Sequence, residues 1–162
     1  MKPALMILCA ALFAPAAAIA ETTLPTAPYL PLDLAEKAAS AAIAACVAEG
    51  NNVSVAIVDR GGNTKVLLKA DNSGPHTGSS ATGKAFASAA LGRDTAGLAD
   101  FIAKNPQNEG LRDMDPRLVI QAGGLPIKFG KALVGGIGVG GAPSGDLDQA
   151  CARKGLDAIG AE

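Results

Sequence analysis

The alternation of apolar, small and polar positions divides the chain into helix and strand runs separated by turn-rich breaks. From Leu34 to Glu49 alanine dominates, with Ile43, Cys46 and Val47 among it, and the run predicts a helix that ends at Gly50. Asp33 is placed to cap it, with Glu36 three residues on at capping-box spacing. Val53 to Asp59 is short, β-branched and apolar at successive positions, as a strand buried on both faces would be. Arg60-Gly61-Gly62-Asn63 turns the chain into a second strand, Thr64 to Ala70, and the two predict a hairpin.

Asp71 to Pro75 is a dense loop signal, after which an alanine-rich run to Leu91 predicts a helix, ended by Gly92-Arg93-Asp94. Asp94 or Thr95 caps another helix reaching about Lys104, and Asn105 to Arg117 is long enough to be a lid or a rim. Leu118 to Ala122 has strand character, interrupted by Gly123-Gly124-Leu125-Pro126. Ile127 to Phe129 and Leu133 to Val139 follow as strands around a turn at Gly130. Ser144 caps a last helix from Gly145 to about Ile159, with Asp146 and Asp148 in the first turn and Arg153 and Lys154 later, the order the helix dipole favours. Neighbouring strands joined by short turns pair antiparallel, so the expected class is α+β, one antiparallel sheet flanked by helices.

The first twenty residues change what this order must explain. A basic Lys2, an apolar run through Leu12-Phe13, and small residues at Ala18 and Ala20 have the layout of a secretory signal peptide, residues 1–20, and the apolar run is too short to span a bilayer. Residues 21–33, with Pro25, Pro28 and Pro31, read as an extended arm, leaving 34–162 as a single domain. The expected location is periplasmic or secreted, with no membrane attachment after signal removal. The formal charge of −1 becomes one unit more negative without Lys2, which argues against nucleic acid as a partner. Cys46 and Cys151 remain after processing. In an oxidising compartment they are candidates for a disulfide, the alternative being two buried free thiols.

Chemistry is sparse. The only histidine, His76, sits in the loop before the second long helix; imidazole is the commonest metal ligand and titrates near neutrality, although a solvated loop histidine is the plain alternative. Gly136-Ile137-Gly138-Val139-Gly140-Gly141 has the spacing of a dinucleotide fingerprint but lacks the βαβ context and the acidic partner, so close packing against an alanine-rich helix explains it better. A narrower alternative is an anion site formed by Gly140 to Gly145 with the helix start that follows. No P-loop, nucleophile elbow or zinc-ligand cluster is present.

Taken together, Val53 to Asp59 with Arg60-Gly61-Gly62, Gly74-Pro75-His76-Thr77, Lys84-Ala85, Thr95, Gly123-Gly124-Leu125-Pro126-Ile127, Val134 to Val139, Gly141-Ala142-Pro143, and Asp146, Asp148, Cys151 and Ala152 resemble the GlcG/HbpS family. This is a haem-binding, haem-degrading-type domain similar to the C-terminal domain of PduO. The chain departs from the pattern at Phe86, where threonine or tyrosine-threonine is frequent, and at Gly140, where serine is. The resemblance implies a profilin-like fold assembled as a homo-oligomer. It also implies haem as a cofactor, with roles in haem handling, degradation or redox sensing.

On that footing His76 is the expected axial ligand to haem iron, Thr77 shapes the site, and Lys84 pairs with a propionate. Ser144 and Gly145 would receive another, and Arg112 and Arg117 would close the loop over the site. A different reading is a periplasmic accessory or small-carboxylate-binding module that supports glycolate or alcohol oxidation beside a periplasmic redox enzyme. A third is an enzyme using His76 as general base, which lacks an evident second catalytic group.

Overall fold

The computed structural model describes residues 23–162, so the signal-peptide expectation lies outside the described residues. The elements are α1 (Leu32–Ala48), β1 (Ser54–Asp59), β2 (Thr64–Lys69), α2 (Thr77–Leu91), α3 (Thr95–Lys104), a 3₁₀ helix (Pro106–Arg112), β3 (Gly124–Phe129), β4 (Ala132–Gly140) and α4 (Gly145–Ile159). The sheet order is β2-β1-β4-β3 and every neighbouring pair is antiparallel. The α+β class is therefore as expected, with β1 and β4 in the middle.

Alternation along the central strands explains the two helical layers. Val55 and Ile57 of β1 and Ile137 and Val139 of β4 enter one core with Ala35, Ala38, Ala39 and Ala42 of α1 and Ala152 and Leu156 of α4. Their neighbours Ala56 and Val58 face the other way and pack on Ala81, Ala85 and Ala89, four residues apart along α2. Both faces of β1 are covered, which is why its sequence is a nearly unbroken apolar run. Gly136, Gly138 and Gly140 continue the α2-facing row on β4. A Cβ at Gly136 or Gly138 would run into the α2 backbone at Ala85 or Ala81, and one at Gly140 would come within 2.8 Å of Ser80 Oγ. The glycine run is a bed for a helix.

Three expectations are corrected. Helix α1 begins at Leu32, two residues early, with Pro31 at the N-cap; Asp33 lies in the first turn and no capping box forms. Residues 23–31 before it form no helix or strand, and Leu30 among them is buried. The run Leu118 to Ala122 is not a strand. Val119 donates its N–H to Gly83 O on α2, and Ile120 packs with Leu98 and Ile102 of α3, so this apolar character serves helix packing instead of a ladder. The strand begins at Gly124, inside the segment expected to interrupt it.

Proline is tolerated at 126 because β3 is an edge strand. The exposed side of that edge is closed by the C-terminus, where Glu162 and Lys128 exchange backbone hydrogen bonds. Ser144 caps α4 and Asp94 caps α3, each side chain accepting from the backbone N–H three residues on. Among the described residues, no helix is long and apolar enough to cross a membrane.

Candidate functional site

A cleft of about 710 Å³ opens between α2, β2 and the segment that follows the 3₁₀ helix. Helical spacing builds its α2 wall, since His76, Ser79, Gly83 and Phe86 recur at intervals of three and four residues and share one side of the helix. Thr64 and Leu67 of β2 form the facing wall, and Pro116, Arg117 and Val119 close the remaining end. Two glycines make room. Gly62, at φ +80°, passes so close to Phe86 that a Cβ would lie 2.5 Å from the ring, and a Cβ at Gly83 would collide with Val119.

His76 is exposed, occupies the N-cap of α2 and makes no capping bond with its side chain. Next to it Thr77 is buried. Its hydroxyl donates to Gly74 O at 2.8 Å and shares a 2.8 Å bond with Ser54 Oγ on β1, so Thr77 fixes the loop without itself lining the cleft. Arg117 lays its guanidinium 4.0 Å from the centre of the Phe86 ring, a cation–π contact. The same guanidinium donates from Nε and Nη2 to the two oxygens of Asp115, at 2.9 and 2.6 Å. That fork, helped by the Arg117 backbone N–H, holds the Asp115 carboxyl down to about 2.

The other expected site residues lie elsewhere. Lys84 is 2% exposed and its ammonium is 2.8 Å from Asp148 Oδ2 on α4, while Asp148 Oδ1 accepts the Ala142 N–H. A buried pair of this kind is strongly destabilised by loss of one partner, about 3–5 kcal/mol, so Lys84 is committed to joining α2 to α4 and does not reach a ligand in the cleft. Arg112 donates to Ile120 O and pairs with Glu109, lining a separate cavity of about 880 Å³ with Asp100 and Asp146. Ser144 is occupied as a helix cap, and Gly145 packs so tightly that a Cβ would lie 2.8 Å from Ala122.

The structure therefore brings together His76 and Arg117, with Thr77 behind them, and separates Lys84, Arg112, Ser144 and Gly145 from the cleft. Reasoning from sequence missed Leu67, Phe86 and Val119 as wall residues. Phe86 was detectable as the position ten residues after His76 on the same helical side. Nothing in the linear order pointed to Leu67 or Val119.

A protein-family model described as haem degrading protein HbpS-like matches residues 30–157. A crystal structure of HbpS from Streptomyces reticuli, a double mutant with two glutamates replaced by aspartate, is 44% identical, with a TM-score of 0.78 over 88% of this chain and 97% of that one. Protein ORFY from Klebsiella pneumoniae is 24% identical, with a TM-score of 0.79 over 88% of this chain and 98% of that one. PduOC, crystallised as a haem complex, is also 24% identical, with a TM-score of 0.77 over 83% of this chain and 98% of that one. At that identity the last two speak for the fold alone. No curated protein matches the sequence.

Proposed function

Because the chain belongs to the HbpS-like family, we propose that it is an exported haem-binding protein that takes haem in the His76 cleft. The observation that carries this reading is the make-up of the cleft: one imidazole, apolar walls from Leu67, Phe86 and Val119, and one guanidinium. The donor set fits the group. An apolar slot suits a macrocycle, an imidazole nitrogen suits its iron, and a guanidinium suits a carboxylate side arm. His76 would hold the iron through an imidazole nitrogen, Arg117 would pair with a propionate, and Phe86 with Leu67 would exclude water from the bound group.

Bound haem supplies an iron centre capable of redox and oxygen chemistry. The family description of haem degradation supports that direction, and PduOC is a protein of this fold crystallised with haem. Export to the periplasm rests on the signal-peptide layout of residues 1–20. Assembly as a homo-oligomer and service to a periplasmic redox enzyme rest on family resemblance.

Titrating haemin into the purified protein tests the reading. A shifted Soret band is expected, with affinity at least about ten-fold weaker in His76→Ala. Identical titrations for the two proteins would remove the ligand assignment. Stabilisation by small carboxylic acids without any haem spectrum would favour the accessory-module reading, for which Arg117 is the supporting residue.

A further inference from the structure

We propose that Lys69 is the positioning residue for His76, holding the loop before α2 in the conformation that presents the imidazole to the cleft. The proposal rests on the reading of His76 as haem ligand for its functional meaning, though not for its geometry. Among the described residues the His76 ring takes part in no hydrogen bond and lies against Gly74, where a Cβ would come within 2.9 Å of Cε1, so the backbone of the preceding loop sets where it is presented. That backbone is short of regular structure and includes Asn72 at φ +62°. Something has to fix it.

The Lys69 ammonium does so from the end of β2. It donates to Ser73 O at 3.0 Å, to Gly74 O at 2.5 Å and to Thr77 Oγ1 at 3.3 Å. An ammonium has three N–H donors, and here each finds an oxygen. The same oxygens are held again by their neighbours. Gly74 O also accepts the backbone N–H and the hydroxyl of Thr77, and the Thr77 hydroxyl meets Ser54 Oγ. Ser54 is the cross-strand partner of Lys69. Two strands thus converge on the residues flanking His76, and Leu67, two positions before Lys69 on the same side of β2, lines the cleft itself.

Helix stability does not explain this lysine. A cation beside a helix N-terminus opposes the macrodipole, and α2 has no acidic residue in its first turn to offset it. The arrangement makes sense if what is gained is an ordered loop. Lys84, the lysine expected at the site from sequence, is locked to Asp148. The lysine that serves the site is Lys69.

The test uses Lys69→Met, which keeps the aliphatic stem and removes the donors, with Lys69→Arg as the variant expected to rescue. Because Lys69 is exposed, both variants should melt close to wild type. In the ligand-free protein, backbone order parameters of residues 73–77 are expected to fall below about 0.6 in Lys69→Met, from near 0.85, and to recover in Lys69→Arg. Haemin affinity is expected to weaken about ten-fold in Lys69→Met.

Unchanged order parameters in Lys69→Met would overturn the proposal whatever haemin does. Loosened order parameters with undiminished haemin affinity, in a protein where His76→Ala loses it, would also overturn it. If wild type takes up no haemin while the loop still loosens in Lys69→Met, the haem reading fails and the positioning of the imidazole stands.

Discussion

Arg117 is engaged on two sides, its face on Phe86 and its edge on Asp115. A ligand carboxylate seeking the Nε–Nη2 edge of that guanidinium meets Asp115 already there, so Asp115 acts as a competitor carried by the protein. The carboxyl ordinarily ionises near 3.8 and is held down to about 2 here, so the pair is intact above the ordinary value and lost only as the pH falls through about 2. Acidification within any working range does not release Arg117; a substitution does. Asp115→Asn is expected to tighten binding of a porphyrin with free carboxylates by about two- to five-fold, the scale of an exposed ion pair, and to leave the dimethyl ester of the same porphyrin unchanged. Fluorescence-quenching titrations of both compounds check it, and equal changes for the two would sink the idea. At this scale the sequence was partly legible. His76 was visible because it is unique, and Arg117 because it ends a long loop. Lys84 was misread because its partner, Asp148, lies 64 residues away on another helix, a relation that no local pattern carries.

Among the elements, the helices and the hairpin were legible because each satisfies a local rule: periodic alanines, an Asp or Ser N-cap, or two glycines in a tight turn. The misplaced strand shows where local rules stop. Gly123 to Pro126 has breaker composition, yet Gly124 heads β3 because a side chain there would meet the Lys84 backbone, and Pro126 is allowed by an edge that only the assembled sheet defines. The apolar run beside it, Leu118 to Ala122, has strand composition and none of the pairing, because α2 and α3 claim its side chains first. The β4 glycines give a sharper test of the same point. Gly138→Ala puts a methyl into the α2 backbone at Ala81 and Ala85, where no flexible side chain can yield, so α2 must lift from the sheet. Overpacking of this kind costs about 1–3 kcal/mol. Urea denaturation is expected to show that loss. Because α2 carries His76 and Phe86, haemin affinity should fall with it, whereas Gly110→Ala, with open space around it, should change neither.

Seen as a whole, the molecule closes one face with small side chains. Helices α1 and α4 meet through alanines and Gly155, where a Cβ would lie 2.7 Å from Ala38 O, and few large residues enter that contact. Alanine gives up no rotamer freedom on burial, but each one also removes little apolar surface from water, so this layer is dense and weakly driven. A covalent tie therefore matters more here than in a leucine-rich interface. Cys46 on α1 and Cys151 on α4 are bonded at a Cα separation of 5.5 Å, both buried, across 105 residues of sequence. Closing a loop of that length restricts the unfolded chain, and removing such a bond typically costs about 2–5 kcal/mol, a large part of the whole stability of a domain this size. The Cys46→Ser and Cys151→Ser double variant is expected to melt roughly 5–15 °C below wild type. In denaturant, a chain begun at Glu21 should show no free thiol until reductant is added. Two reactive thiols in the unreduced chain, or coincident melting curves, would mean that the alanine layer holds these helices together by packing alone.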